Sequence, residues 1–353
     1  MHIKFKNNKI MKRTLGISFT LIILFTGLFS NATTLYVDSH FPAPNGVYTT
    51  IQLAYNAASA GDTILISPAS GAYTGVTISK ELHMVGTGWA DPSSSITHTK
   101  ISGFSFNAGA EGSSISGIEI IGGITVNSSD ITIKRNKLDY LVVEPGCTNF
   151  VFIQNYMKVA RTSRNTYQEG SLIYIKANCE ILLSNNVVVN TYGSSNYEFA
   201  VFAEYPTNIV ASNNIISATD GAINLAMFDG NYSPHSFYNN IVLSGGVNVS
   251  TNYSDNNHNI GNGTQFGTIN NNQENVNMLA AFVDYTNSDY HLAESSPAIG
   301  AGVDGTDCGI YGGEFPFVDN GRTWLPMITE IDMPTVVNVN DGLNVTVKAK
   351  SGK

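Results

Sequence analysis

The sequence predicts an all-β solenoid in which short parallel strands stack coil upon coil around one long core. The strongest reason is a recurring phrase of alternating apolar residues, one or two asparagines, and a second short apolar strand. Composition agrees: of 353 residues only 13% are charged and 33 are glycine, as in a turn-rich extracellular β protein rather than a helical enzyme. An antiparallel sandwich would instead need two-residue Asn-Gly turns about every 8–12 residues, and no such regular series is present.

The phrase runs from Ile131 to Leu138, Phe150 to Met157, Ile181 to Val188, Ile209 to Ile216 and Phe237 to Val242. A glycine form runs from Ile115 to Ile120. Its markers Gly117, Asn136, Asn155, Asn186, Asn214 and Asn240 are separated by 19, 19, 31, 28 and 26 residues. A strand turns alternate side chains to one face, so the residues three and five before each asparagine marker are expected inward. These are Ile133 and Ile131, Phe152 and Phe150, Leu183 and Ile181, and Ala211 and Ile209. Asparagine tolerates a left-handed backbone, which suits a tight corner, and stacked amides can bond the coils above and below. Extra residues in the long coils must leave the stack as loops.

Residues 1–32 read as a secretory signal. Lys4, Lys6, Lys9, Lys12 and Arg13 precede an apolar run from Leu15 to Phe29, and Ser30-Asn31-Ala32 offers small residues for cleavage. The run, about 15 residues, is short for a ~30 Å hydrocarbon core, so no stable membrane insertion is expected after cleavage. The expected location is secreted, periplasmic or at the cell surface. Cleavage would remove five basic and no acidic residues, leaving 13 Lys and Arg against 27 Asp and Glu, a formal charge of −14. That excludes nucleic acid as an expected partner and disfavours a polyanionic glycan. Cys147, Cys179 and Cys308 cannot all pair within one chain, so this is no disulfide scaffold. The chain has no CxxC, HxxxH or HExxH spacing, so no metal is expected.

The segment Tyr48-Thr49-Thr50-Ile51-Gln52-Leu53-Ala54-Tyr55-Asn56-Ala57-Ala58-Ser59-Ala60-Gly61-Asp62 resembles the entry to pectin-lyase-like β-helices, where a short helix caps the open end before a Gly-Asp turn. Asp289-Tyr290-His291-Leu292, Ser295 to Gly302 and Asp307 to Gly313 resemble the closing coil of secreted Bacteroidetes β-helix proteins. The resemblance implies a right-handed parallel β-helix over 33–314. Residues 315–353 are expected as a C-terminal β tail of one or two strands packed on the last coils, covering an exposed sheet end.

The resemblance also implies a substrate groove over the strand that follows each variable loop. Lys176 and Glu204 sit ten positions before their marker asparagines and Glu144 eleven before its own, which puts the three on adjacent coils, ~4.8 Å apart and facing out, with Tyr174 and Phe202 two residues earlier and Asn224 on the next coil. Lys158, Arg161, Arg164, Tyr167, Glu169, Tyr192, Tyr197, Asp220, Asp229 and Tyr232 fall in the long coils that would wall this groove. One reading is a glycan groove, with aromatic rings as sugar platforms and extracellular or cell-surface polysaccharide as partner. A lyase form of it has Lys176 as base beside Glu144 and Glu204, and Arg161 or Arg164 neutralising a uronate. The other reading is an ion-pair ladder on a solvated sheet, at ~0–1 kcal/mol per pair. The catalytic signatures of polygalacturonase-like hydrolases, pectate lyases, alginate-lyase-like enzymes and pectin methylesterases are absent. No cofactor is expected and no calcium site is identified. Cys147 and Cys179 should share a corner of successive coils, ~5 Å apart, as a disulfide or as two stacked thiols, and Cys308 should stay free.

Overall fold

The computed structural model describes residues 32–40, 46–89, 98–161, 170–192, 199–204, 206–225, 235–248, 256–325, 327–332 and 345–350. Expectations for the signal segment and for Arg164, Tyr167, Glu169, Tyr197, Asp229 and Tyr232 lie outside these residues. The chain folds as a right-handed parallel β-helix with three faces. The first face is an 11-stranded parallel sheet running from Val47–Tyr48 through Thr34–Val37, Asp62–Ile66 and Leu82–Val85 to Asn256–Asn257. The second and third faces share a 12-stranded sheet. In coils with short connections one strand serves both, as in Lys137–Val143, whose start pairs with Tyr156 and whose end pairs with Ile173–Ile175. In the long coils the strand splits, into Tyr156–Val159 and Ile173–Ile175, then Val187–Asn190 and Phe199–Ala203.

Helix α1 (Ile51–Ala57) lies at the entry, as expected. Thr50 caps it by accepting from Leu53 N at 3.2 Å, satisfying one of the orphan donors of the first turn. Ile51 and Ala54 are buried in the solenoid core. At the other end of the stack Phe266 is buried against Phe237, ring centroids 5.7 Å apart. No helix among the described residues is long and apolar enough to cross a membrane.

All eight residues expected inward are buried: Ile131, Ile133, Phe150, Phe152, Ile181, Leu183, Ile209 and Ala211. Each large apolar side chain removed from water contributes roughly 1.5–3 kcal/mol, and parallel pairing stacks them in continuous rows. A second apolar layer lies outside the second face. Val187, Val189, Ile215, Ile241 and Ile260 point outward, yet are buried under Met278, Ala281, Phe282, Tyr290, Ile310 and Phe317. Strands such as Val187-Val188-Val189 are therefore apolar on both sides, the pattern of a sheet covered on both faces.

The corner between the first and second faces is built from two residues with separate tasks. The left-handed residue is the first: Arg135, Gln154, Asn185, Asn213, Asn239 and His258 all have φ between 54° and 59°. The asparagine after it forms a ladder instead. Asn136 N donates to Asn155 Oδ1 (3.0 Å), Asn155 N to Asn186 Oδ1 (2.9 Å), and Asn186 N to Asn214 Oδ1 (3.0 Å). The same bond continues through Asn240, Asn259 and Asn272. The expectation that the marker asparagine itself turns left-handed is thus corrected. Gly117, with φ 68°, is equivalent to Arg135 rather than to Asn136. Ile118 N caps the ladder on Asn136 Oδ1 at 3.1 Å, so the first spacing is 18 and not 19.

The C-terminal part departs from the expected closing coil. Phe282–Asp284 and Asp289–Leu292 form an antiparallel hairpin. Residues 298–324 form a strap that runs back along the corner from the last coils to the first. Cys308 Sγ donates to His258 O, Asn213 Nδ2 to Asp307 O and Gly309 O, and Asn185 Nδ2 to Ile310 O and Gly312 O. Gln154 Nε2 reaches Pro316 O, Arg135 Nη1 reaches Arg322 O, and Thr323 Oγ1 donates to Gly86 O. At Gly321, φ 57°, an added Cβ would collide with Arg135 O and the Trp89 indole nitrogen, so only glycine lets the strap approach here. The segment from Pro316 to Thr323 accordingly runs from the Gln154 coil to the first coils, away from the last. Met327–Asp332 pairs antiparallel with Thr346–Lys350, and Val345 and Val347 are exposed rather than packed as a cap.

Cys147 and Cys179 occupy the same corner, between the third and first faces, on successive coils. Glu180 N donates to Cys147 O at 2.9 Å, Cys147 Sγ donates to Val126 O and Cys179 Sγ to Glu144 O, and the neighbouring Cys179 thiol together with burial pushes the Cys147 thiol up. Both are buried and unbridged, as is Cys308.

Asn186→Ala should lower unfolding free energy by about 2–6 kcal/mol, since Asn155 N and Phe152 O would each lose a buried partner at roughly 1–3 kcal/mol apiece. Asn185→Gly keeps the left-handed turn but leaves Ile310 O and Gly312 O of the strap without their buried donor, and should cost a similar amount, about 2–6 kcal/mol at roughly 1–3 for each. Urea unfolding of both variants would check the division of labour at the corner.

Candidate functional site

The third face carries the expected row. Val143, Ile175 and Ala203 are partners across the sheet, so Glu144, Lys176 and Glu204 follow in register. Their backbones agree: Lys176 N donates to Val143 O at 2.9 Å and Glu204 N to Ile175 O at 2.8 Å. Alternation places all three outward, because Val143, Ile175 and Ala203 are core residues.

The side chains divide unequally. Lys176 Nζ donates to both oxygens of Glu144, at 2.8 and 2.6 Å. Glu204 accepts instead from the Tyr174 hydroxyl and, at 3.3 Å, from Ala177 N. The Lys176 and Glu144 side chains are only 28% and 26% exposed. Tyr174 and Phe202 are in register as expected, centroids 6.0 Å apart, but they are 8% and 5% exposed. Phe199 also packs against Phe202, so these rings are walls of packed structure rather than free platforms. Asn224 pairs with Phe202 through the backbone.

Arg161 stands where the long loop leaves the second face. Its guanidinium lies 4.0 Å from the Tyr140 ring centroid, a cation–π contact. Buried Asn190 fixes both ends of that loop: it accepts from Arg161 N, donates to Arg161 O at 2.9 Å, and donates to Gly170 O at 3.1 Å. Lys158 turns away from the third face and donates to Ser288 Oγ of the C-terminal hairpin at 2.6 Å.

A second charged cluster, absent from the sequence expectations, sits on the second face. Lys100, Glu119 and Lys137 are partners on adjacent strands. Lys137 Nζ lies 2.7 Å from Glu119 Oε1, Lys100 Nζ 3.7 Å from Glu119 Oε2, and His98 bonds the same Oε2. Burial alone would raise the Glu119 carboxyl, but hydrogen bonds from Lys137 and His98, with their charges, hold it below its usual 4.5. Asp139 is pushed up, chiefly by burial, against the opposing charge of Lys137. Beside this cluster opens a cleft of about 540 Å³ between the second face, the hairpin and the strap. It is lined by Trp89, Tyr156, Tyr311, Lys137, Asp289 and His291, among others. Sequence reasoning misses it because its residues come from segments as far apart as Trp89 and Asn320. Only the strap brings them together. Among the described residues no group of three or more His, Cys, Asp or Glu is placed to hold a metal.

No family model and no curated protein matches the chain. Among solved structures it is similar to a pectate lyase, Pel9A, with a TM-score of 0.45 and 13% identity over 81% of this chain and 97% of that one.

The Glu119 cluster gives a pH prediction. A carboxyl whose folded value is depressed stabilises the fold fully above its ordinary 4.5 and loses that contribution as pH falls through the lower folded value. The thermal midpoint should therefore fall on acidification below about pH 4.5, and Glu119→Gln should flatten this acid limb. Scanning calorimetry from pH 3 to 7 (roughly the span over which carboxylates titrate) would check it.

Proposed function

We propose that this protein is an exported β-helix that binds a neutral glycan along the outward third face and the loops beside it, and that it is not a polysaccharide lyase. The observation that carries the choice is the commitment of Lys176. A lyase base needs a nitrogen directed at a substrate proton within about 2.6–3.2 Å, whereas this amine donates to both oxygens of Glu144. Glu204, the alternative acid or base, is held by Tyr174 and Ala177 N. The pair therefore supports an ordered ladder on a partly covered sheet.

Binding is favoured by the length of the two longest coils, whose ladder asparagines are 31 and 28 residues apart, a length that implies inserted chain between the strands of the second and third faces. Such loops on a rigid scaffold are where recognition concentrates. A neutral glycan fits the formal charge of −14 that follows from removal of residues 1–32, because a polyuronate would be repelled. Export rests on the basic and apolar segment at the start of the chain.

The test is a pair of assays on purified mature protein. Affinity electrophoresis in neutral polysaccharide gels should show retardation, and incubation with polyuronates should release no unsaturated uronate product. Lys176→Met should leave the fold intact, with a stability change of about 1 kcal/mol or less as for other partly exposed pairs. Turnover of a polyuronate that disappears in Lys176→Met would establish the lyase reading instead.

A further inference from the structure

We infer that the cleft between hairpin, strap and second face is a binding pocket for a neutral saccharide unit, separate from the third face. The choice of a glycan as ligand class rests on the function proposed above. The location rests on the cleft itself.

The walls are flat rings in two pairs. Trp89 packs on Tyr156 with centroids 5.0 Å apart and planes 33° from parallel. Across from them His291 stacks on Tyr311 at 4.2 Å and 18°, and Tyr311 meets Phe317 edge-on. A pyranose offers apolar C–H faces to such rings and hydroxyls at its rim, and pockets of mixed aromatic and sparse polar lining are the usual form of small-ligand sites. The volume of about 540 Å³ falls within the ordinary range of roughly 300–1,000 Å³ for such pockets.

The polar groups set the ligand's charge. Asp289 Oδ1 is bonded by His291 Nδ1 at 2.7 Å, and Asp319 Oδ1 accepts from the Tyr311 hydroxyl at 2.7 Å. Asp289 Oδ2 would face a sugar hydroxyl as acceptor, and Asp319 Oδ2, 3.9 Å from His291 Nε2, can share one with that imidazole. Lys137, at the rim, is already matched by Glu119. No unmatched positive group among the described residues of the cleft is placed to take a uronate carboxylate, and the two aspartates would repel it. An organic cation is disfavoured because the rings lie as paired walls rather than as a cage around one point.

The cleft is also held in shape before any ligand arrives. Lys158 pins the hairpin through Ser288, and Gln154 pins the strap through Pro316 O. Preorganisation of this kind lowers the ordering cost of binding.

The chain has two tryptophans, so Trp324→Phe makes Trp89, in the cleft wall, the sole indole reporter. Neutral gluco-, manno- and xylo-oligosaccharides would be titrated into this variant, with galacturonate oligomers and spermidine as controls. Trp89 emission should change with at least one neutral oligosaccharide. Adding His291→Ala or Asp319→Asn should weaken that response at least fivefold. These two side chains are 52% and 56% exposed, so their thermal midpoints should stay near the parent value. No response to any neutral sugar, a response to spermidine or galacturonate alone, or a response untouched by both substitutions would overturn the pocket. Retardation in polysaccharide gels with no Trp89 response to any neutral sugar would leave third-face binding standing while the pocket fails. A Trp89 response without gel retardation would do the opposite, keeping the pocket and removing third-face binding.

Discussion

The structure depends on one repeated bond, the donation from an asparagine backbone N–H to the side-chain oxygen of the asparagine one coil further on. A corner in a parallel coil breaks the strand ladder and leaves backbone groups facing the core, where an unmatched donor costs roughly 1–3 kcal/mol. The asparagine amide answers this twice, since its oxygen accepts from one coil while its nitrogen donates to a carbonyl such as Phe152 O. Because each amide needs the next in register, the ladder sets the rise of the stack. It thereby fixes which outward residues fall in line on the other faces.

This explains why the third-face row can be read from the sequence. Counting from ladder asparagines places Lys176 and Glu204 each ten before its asparagine and Glu144 eleven before Asn155, and the register of Val143, Ile175 and Ala203 brings all three into line. The inward residues are legible for the same reason, as alternation from a fixed corner leaves no freedom. What the sequence does not separate is the left-handed residue from the ladder residue. Both are asparagine in the doublets at 185–186, 213–214 and 239–240, and the coils with Arg135, Gln154 and His258 distinguish the two positions.

The C-terminal third is illegible for a different reason. Its glycines and small residues resemble a coil, yet its partners are carbonyls and side chains along a corner, which leave no periodic trace. The unusual left-handed Arg135 and Gln154 make sense only with the strap in place. Their backbone strain, of order 1–2 kcal/mol each, is set against bonds from their side chains to Arg322 and Pro316. Continuous apolar runs such as Val187-Val188-Val189 are the one available sign that something covers the outside of the second face.

The strap has a consequence for how the molecule comes apart. A stack whose coils touch only their neighbours behaves as a one-dimensional array, and opens progressively from either end. Here Thr323 is bonded to Gly86, 237 positions away, and Cys308 to His258, near the far end. Peeling the terminal coils would drag on the first ones, and loosening the first would free the strap that covers the outer apolar layer. Both ends are therefore linked into one cooperative unit, with slow closure as the kinetic counterpart of such distant contacts.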